Sequence, residues 1–201
     1  GTGKSVIAVK LLVEMTRRKL LAHYVTKNKA PRAVFYKQFI GVKGVDSSFK
    51  SLFKSCYGYD KSKENEFDML IVDEAHRLPK TIDYFGKIPG SIIRGIICAS
   101  KVSVFFIDEK QIVDLRDAGT IADIERIGHE SNADVHNFEL NAQFRCSGSD
   151  EYLNWLNHLL QYDGLHPIKL SGTTYDFKLF DSPSELMAEI KKRNRWRNKS
   201  R

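Results

Sequence analysis

The sequence predicts an α/β domain in which a parallel β-sheet carries helices on both faces. Strand-like runs alternate with helical patterns along the chain, which is typical of βαβ units. Two of these runs, FDMLIVD (residues 67–73) and VSVFFID (residues 102–108), are apolar almost throughout and end in an aspartate. Such runs are expected for strands buried on both faces of a sheet. Their terminal carboxylates should lie at the carboxyl edge of the sheet, where α/β folds bind ligands.

The first element is a glycine-rich turn, GTGKS, that leads into apolar residues at helical spacing up to residue 20. The pattern G-x-x-x-x-G-K-[ST] surrounds nucleotide phosphates with backbone N–H groups, and a helix N-terminus adds a favourable dipole. The phosphate-binding positions would be Gly1, Thr2, Gly3, Lys4 and Ser5, with the Ser5 hydroxyl on Mg²⁺. The first glycine of the pattern would precede Gly1, so we expect a buried strand before it in a longer polypeptide. A simple glycine turn before an ordinary helix is the alternative for this half-motif.

The remaining elements continue the alternation. Strands are predicted at LAHYVT (residues 21–26), VHNFEL (residues 135–140) and DFKLF (residues 176–180). Helices are predicted at PGSIIRGIICAS (residues 89–100), GSDEYLNWLNHLLQ (residues 148–161) and SPSELMAEIKKRN (residues 182–194). Ser182 is the expected N-cap of the last helix, with Pro183 at its first position. Because residues 162–176 resemble a linker, we predict one domain over residues 1–162 and the start of a second over residues 163–201.

Composition is ordinary for a soluble globular protein, with 42% hydrophobic and 28% charged residues. No apolar stretch is long enough to span a membrane, and no membrane partner is expected. Cys56, Cys98 and Cys146 stand far apart, which fits thiols in a reducing compartment and predicts a cytoplasmic protein. The net charge of +7 lies entirely in the last segment, KKRNRWRNKSR. Such a run can contact nucleic-acid phosphates, but a solvated helix end is the simpler interpretation.

The segment MLIVDEAHRL delivers acidic residues to the end of a buried strand. Asp73 is a candidate ligand for the Mg²⁺ bound by Ser5. Glu74 is a candidate to orient the attacking water or accept its proton, a role worth roughly 10²–10⁴ in rate. His76 is a candidate to couple this site to neighbouring elements. An acidic helix N-terminus would also explain the pattern, but the phosphate-binding turn upstream favours the catalytic interpretation.

Two further polar residues follow later segments. Gln111 stands just beyond VSVFFID, where an amide can bond a γ-phosphate or the attacking water. Arg145 lies in FELNAQFRCSGSDEYLNWL, and a guanidinium suits the charge that develops on a transferring phosphoryl group. Such an arginine is worth about 10³–10⁵ in rate. Taken alone, Arg145 is better explained by a structural ion pair with Asp150 or Glu151.

In this order, G-T-G-K-S, D-E-A-H, F-F-I-D-E-K-Q and Q-F-R-C-S-G-S resemble the motifs of superfamily 1 helicases. More closely, the chain resembles the Schlafen group 3-like DNA/RNA helicase domain family, over residues 1 to about 189. Superfamily 2 helicases also carry D-E-A-H, but they have Ser-Ala-Thr where this sequence has Asp-Glu-Lys-Gln. The resemblance implies a RecA-like P-loop NTPase fold and an ATP- and Mg²⁺-dependent ATPase. The implied metal ligands are Ser5 and Asp73, and the implied catalytic residues are Glu74, Gln111 and Arg145.

The resemblance further implies a first motor domain that acts with a second RecA-like domain of the same chain on DNA or RNA, single-stranded at the point of contact. The later helicase motifs are missing, so the segment alone is not expected to unwind nucleic acid. The main alternative is a nucleotide-dependent regulatory switch that controls a fused partner or nuclease domain. A catalytically inactive binding module and a hexameric AAA-type ATPase fit the four motifs less well.

Overall fold

Four strands form one all-parallel sheet in a computed structural model that describes residues 3–27, 51–79, 91–112, 119–140, 150–161 and 178–198. The strands are β1 (Ala22–Val25), β2 (Phe53–Lys54), β3 (Phe67–Val72) and β4 (Ser100–Phe105), and they lie in the order β2-β1-β3-β4. In the register of the sheet, Val25 pairs with Val72, and Val72 pairs with Phe105. The strands therefore end together at one carboxyl edge.

Helices cover both faces of this sheet. Helix α1 (Lys4–Arg17) packs on one face, where Leu12 and Ile71 are fully buried in the same cluster. Helices α2 (Ile92–Ala99) and α3 (Ile121–Glu130) contribute to the apolar cluster that contains Leu70 and Val72. Because alternate residues of a strand point to opposite faces, the apolar run of β3 supplies both clusters. The predicted α/β RecA-like fold is confirmed.

Polar side chains cap the N-termini of α2 and α3. The Ser91 hydroxyl accepts a hydrogen bond from the backbone N–H of Arg94 at 3.2 Å, and Thr120 accepts from that of Asp123 at 3.1 Å. Each cap satisfies a backbone donor that has no partner within its helix.

The chain divides into two compact units, Gly1–Phe144 and Arg145–Arg201, and the sheet lies in the first. The second contains helices α4 (Asp150–Leu159) and α5 (Pro183–Asn198). Ser182 Oγ accepts from the N–H of Glu185 at 3.2 Å, which confirms the predicted N-cap. The domain boundary predicted after residue 162 stays a prediction.

Two strand predictions are wrong in the described residues. The run VHNFEL (residues 135–140) joins no sheet, and its Phe138 is 90% exposed. It lies instead along α3, where Val135 contacts the helix at Gly128. Residues 178–180 of DFKLF are also outside any strand, and Leu179 is 86% exposed. Neither segment has a strand beside it in the part of the chain that the structure describes.

Candidate functional site

The site begins at the turn before α1. Gly3 has φ 82° and ψ 12°, a left-handed conformation that glycine adopts without the steric cost that other residues incur. Its carbonyl oxygen accepts from the N–H groups of Val6 and Ile7, at 2.9 and 3.0 Å, and so starts the helix. No acidic residue occupies the first turn of α1. The positive end of the helix dipole is therefore not neutralised by a carboxylate of the helix itself.

The first turn of α1 meets the end of β3. Asp73 directly follows β3 on the same face as Ile71, because alternate residues of a strand share a face, and α1 covers that face. Ser5 Oγ accordingly donates a hydrogen bond of 2.8 Å to Asp73 Oδ2. The Asp73 residue is only 3% exposed. The structure therefore brings together the predicted metal ligands, Ser5 and Asp73.

A tyrosine hydroxyl completes this contact. Tyr24, from β1, donates a short hydrogen bond to the same Oδ2 atom of Asp73. Burial, together with the Asp73 carboxylate, raises the pKa of the Tyr24 phenol well above its ordinary value. The phenol therefore stays protonated and keeps its donor at neutral pH.

Glu74 stands at a turn between β3 and the next segment. Its φ of 56° and ψ of 44° are unusual for a residue other than glycine and are held by the surrounding backbone. The N–H of Ala75 donates to the carbonyl oxygen of Phe106 at 2.9 Å, which ties this turn to the end of β4. Gly119 packs directly on the turn, since a Cβ there would lie 1.7 Å from the carbonyl oxygen of Ala75. The turn is thus fixed from two sides.

His76 connects the turn to β4 through its side chain. The imidazole is 1% exposed, and its Nδ1 accepts from the backbone N–H of Asp108 at 3.2 Å. A neutral ring that accepts at Nδ1 carries its hydrogen on Nε2. That Nε2 atom lies 3.0 Å from Glu74 Oε2, a close but poorly aligned contact. The His76 side chain thus contacts both the turn at Glu74 and the segment at Asp108, as its predicted coupling role requires.

The charge state of Glu74 follows from its neighbours. The His76 imidazole lowers the pKa of the Glu74 carboxyl, with smaller contributions from Arg77 and Lys4. Burial of the half-buried side chain opposes these effects without cancelling them. Glu74 is therefore an ionised carboxylate at neutral pH.

Asp108 lies beyond the end of β4, just before the short turn Glu109–Gln111, and contacts the remaining polar groups of the site. Lys4 Nζ lies 3.4 Å from Asp108 Oδ2, and Gln111 Nε2 donates to the same oxygen at 2.8 Å. Burial raises the pKa of the Asp108 carboxyl, but the Gln111 amide and the Lys4 ammonium outweigh it and hold the pKa below its usual range. Asp108 thus links the lysine of α1 with the exposed Gln111.

The described part of the chain therefore brings most of the predicted site residues together. Gly3, Lys4, Ser5, Asp73, Glu74 and Gln111 all belong to it. Gly1, Thr2 and Arg145 lie outside the described residues. The roles of all these site residues stay predictions. Sequence reasoning missed Tyr24 altogether and named Asp108 without giving it a function. An aspartate at the end of an apolar strand was a usable signal for Asp108, whereas Tyr24 looks like an ordinary strand residue.

The oxygens of Ser5 and Asp73 fit a magnesium ion chemically. Mg²⁺ prefers hard oxygen ligands and is usually held by one or two protein groups together with substrate phosphates. A buried carboxylate beside a hydroxyl at a helix N-terminus provides such a set. In the described ranges, no group of three or more His, Cys, Asp or Glu side chains is arranged to hold a metal ion.

The fold and the polar cluster at the carboxyl edge define the class of this protein: an α/β domain with a RecA-like fold. A family model for the Schlafen group 3, DNA/RNA helicase domain matches residues 1–201. The chain therefore belongs to this family and is a helicase-like nucleotide-binding domain. No curated protein and no solved structure matches significantly. Across the described residues, no helix combines the length and apolar character needed to cross a membrane.

Proposed function

We propose that the chain is the ATP-binding and ATP-hydrolysing first motor domain of a superfamily 1-like DNA/RNA helicase or translocase. One observation carries this proposal: groups from α1, from the end of β3 and from the end of β4 meet at one edge of the sheet. The contacts of Ser5 with Asp73 and of Lys4 with Asp108 join these segments directly. Membership in a helicase-domain family supports the same function.

In this proposal the turn before α1 binds the phosphates of ATP. The Lys4 ammonium attracts the β- and γ-phosphates, and the N–H groups at the start of the helix donate to them. Gly1 and Thr2 extend this cradle of backbone donors, and Gly3 supplies its left-handed turn. Lys4 would exchange its 3.4 Å contact with Asp108 for contacts with the phosphates when ATP binds.

Ser5 and Asp73 would hold Mg²⁺, which when bound neutralises charge on the phosphates and orients them. Glu74 orients the attacking water and accepts its proton, since it is ionised at neutral pH. Gln111 is exposed on a short turn after β4, from which its amide reaches the γ-phosphate or that water. Arg145 would stabilise the charge that develops on the transferred phosphoryl group.

The proposed partners are single-stranded DNA or RNA and a second RecA-like domain of the same polypeptide. Hydrolysis would then alternately close and open the two domains on the nucleic acid. A regulatory switch would use the same phosphate site but would not respond to nucleic acid. The two functions therefore differ in one measurable property, the stimulation of ATP hydrolysis by a polymer.

The site itself is tested by ATP binding and hydrolysis in matched variants of the full-length protein. Lys4→Ala should weaken binding of a fluorescent ATP analogue, whereas Lys10→Ala, exposed on the same helix, should not. Glu74→Gln should bind ATP and stop hydrolysis, whereas Glu64→Gln, exposed before β3, should hydrolyse normally. Rapid hydrolysis by Glu74→Gln would remove its assigned role.

Arg145 has a separate test. Arg145→Ala should slow hydrolysis with little effect on ATP affinity, because the guanidinium is needed for charge that develops during phosphoryl transfer. An unchanged rate would leave Arg145 with only a structural ion pair.

A further inference from the structure

Tyr24 carries a polar group into an otherwise apolar part of the core. Its side chain is fully buried on the α1 face of the sheet, in one cluster with Leu12 and Ile71. Its ring packs against that of Phe53, with a distance of 5.1 Å between ring centroids. A phenylalanine would satisfy all of these apolar contacts. The hydroxyl therefore needs a separate explanation.

The Tyr24 hydroxyl contacts the Asp73 carboxylate. Tyr24 Oη donates to Asp73 Oδ2, the same atom that accepts the 2.8 Å hydrogen bond from Ser5 Oγ. Among the described residues, the hydrogen bonds to the Asp73 carboxylate all go to Oδ2 and none goes to Oδ1. Two donors on one oxygen fix the rotation of the carboxylate and leave its other oxygen available.

We propose that Tyr24 is a positioning residue for the divalent cation, because it holds Asp73 in the orientation that presents a free oxygen to the metal. This inference rests on the proposed function of Ser5 and Asp73. If Tyr24 holds Oδ2, Ser5 is not needed to orient the carboxylate, and its oxygen can serve as a metal ligand. Groups that hydrogen-bond to metal ligands in this way typically change metal affinity about 10–100-fold when they are removed.

If the Tyr24 hydroxyl were only structural, removing a comparable buried hydroxyl should affect Mn²⁺ binding equally. Tyr59 is a second buried tyrosine in the same unit, and its hydroxyl lies 3.1 Å from His23 Nδ1. It makes no contact with Asp73. Tyr59→Phe therefore removes the same chemical group from a comparable environment and is the matched control for Tyr24→Phe.

The test is Mn²⁺ binding to the full-length protein in the presence of ADP, measured by electron paramagnetic resonance. We expect Tyr24→Phe to bind Mn²⁺ about 10-fold or more weakly than the wild type, and Tyr59→Phe to bind it normally. ADP binding in excess EDTA should be the same in all three proteins. Thermal unfolding without ligand reports any loss of folding in either variant.

Wild-type Mn²⁺ affinity in a folded Tyr24→Phe variant, or an equal loss in both variants, would overturn the inference and leave the proposed function intact. Absence of Mn²⁺ and ADP binding by the wild type would overturn both the inference and the proposed function.

A second variant, Asp73→Asn, tests whether the Tyr24 hydroxyl acts through Asp73. Adding Tyr24→Phe to Asp73→Asn should weaken Mn²⁺ binding little further, because the hydroxyl acts through Asp73. Additive losses would contradict that route.

Discussion

Replacing His76 by glutamine separates the two contacts of the imidazole. Nδ1 accepts from the backbone N–H of Asp108 at 3.2 Å, and Nε2 lies 3.0 Å from Glu74 Oε2. The terminal amide of glutamine can replace Nε2 as a donor, but no glutamine atom occupies the position of Nδ1. His76→Gln therefore leaves the Asp108 N–H without its acceptor. His76→Leu removes both contacts.

The cost of the lost acceptor follows from burial. A buried donor left without a partner costs about 1–3 kcal/mol. The Asp108 side chain is 29% exposed, so water reaches part of this region, and we expect the lower half of that range, about 1–2 kcal/mol. For a protein of this size, such a loss lowers Tm by roughly 2–8 °C. His76→Leu should lower Tm by at least as much.

The two variants should differ in ATP hydrolysis. His76→Gln keeps a polar neighbour for Glu74, so its kcat should stay within about tenfold of the wild type, equivalent to about 1.4 kcal/mol. His76→Leu leaves Glu74 without that neighbour, and its kcat should fall further. Scanning calorimetry gives Tm, and a steady-state phosphate-release assay gives kcat.

The matched control is His129→Gln, an exposed histidine at the end of α3, which should change neither quantity. An unchanged Tm in His76→Gln would refute the contribution of the Asp108 hydrogen bond. A wild-type kcat in His76→Leu would refute the orientation of Glu74 by the imidazole.

Three further predictions concern the supporting structure. Burial, with the nearby Lys54 charge, lowers the pKa of His23 from 6.5 to about 4. Between these two pH values the unfolded chain binds a proton at His23 that the folded chain does not bind. Stability should therefore fall as pH drops from about 6.5 to about 4. The difference in Tm between about pH 7 and about pH 5 should be smaller in His23→Gln than in the wild type. Gly119→Ala should cost about 1–3 kcal/mol or more by forcing the Ala75 backbone to move, and it should lower hydrolysis; wild-type Tm and rate would contradict that packing. Leu12→Ala should cost about 2–5 kcal/mol in urea unfolding, whereas Val13→Ala, 48% exposed, should change stability by under about 0.5 kcal/mol; equal costs would contradict the α1 packing.

The parts of the site that sequence could predict depend on local signals. Lys4 and Ser5 follow a glycine turn at fixed spacing, and Asp73 and Glu74 end an apolar strand. Parallel strands share a carboxyl edge, so these groups had to lie near one another once the fold was recognised. Local spacing and one general rule were therefore enough.

The contacts that sequence could not predict depend on register. Tyr24 reaches Asp73 because Tyr24 pairs with Ile71 in the sheet, and a shift of one residue would turn its ring to the other face. The bond from Asp108 to His76 likewise needs β3 and β4 in their observed alignment. Nothing in the runs AHYV or FDMLIV specifies that alignment by itself.

The helix and strands that the sequence predictions missed or misplaced have simpler explanations. Strand β2 has only two residues, too few for a pattern to be visible. Helix α3 did carry usable signals, since Thr120 caps it, Asp123 completes the cap, and Ile121, Ile124 and Ile127 stand at helical spacing. In VHNFEL the apolar residues do not alternate regularly, and among the described residues no strand lies beside the run. A strand is stable only with a partner.

The central claim, that this domain is part of a nucleic-acid-dependent ATPase, is tested most directly by ATP hydrolysis in the full-length protein. The assay compares no polymer, single-stranded DNA and single-stranded RNA, each for the wild type, Glu74→Gln and Glu64→Gln. We predict that one polymer strongly stimulates hydrolysis in the wild type and Glu64→Gln, and that Glu74→Gln abolishes it. Hydrolysis that is indifferent to both polymers would contradict the motor and favour a regulatory switch, and hydrolysis that survives in Glu74→Gln would contradict the site itself.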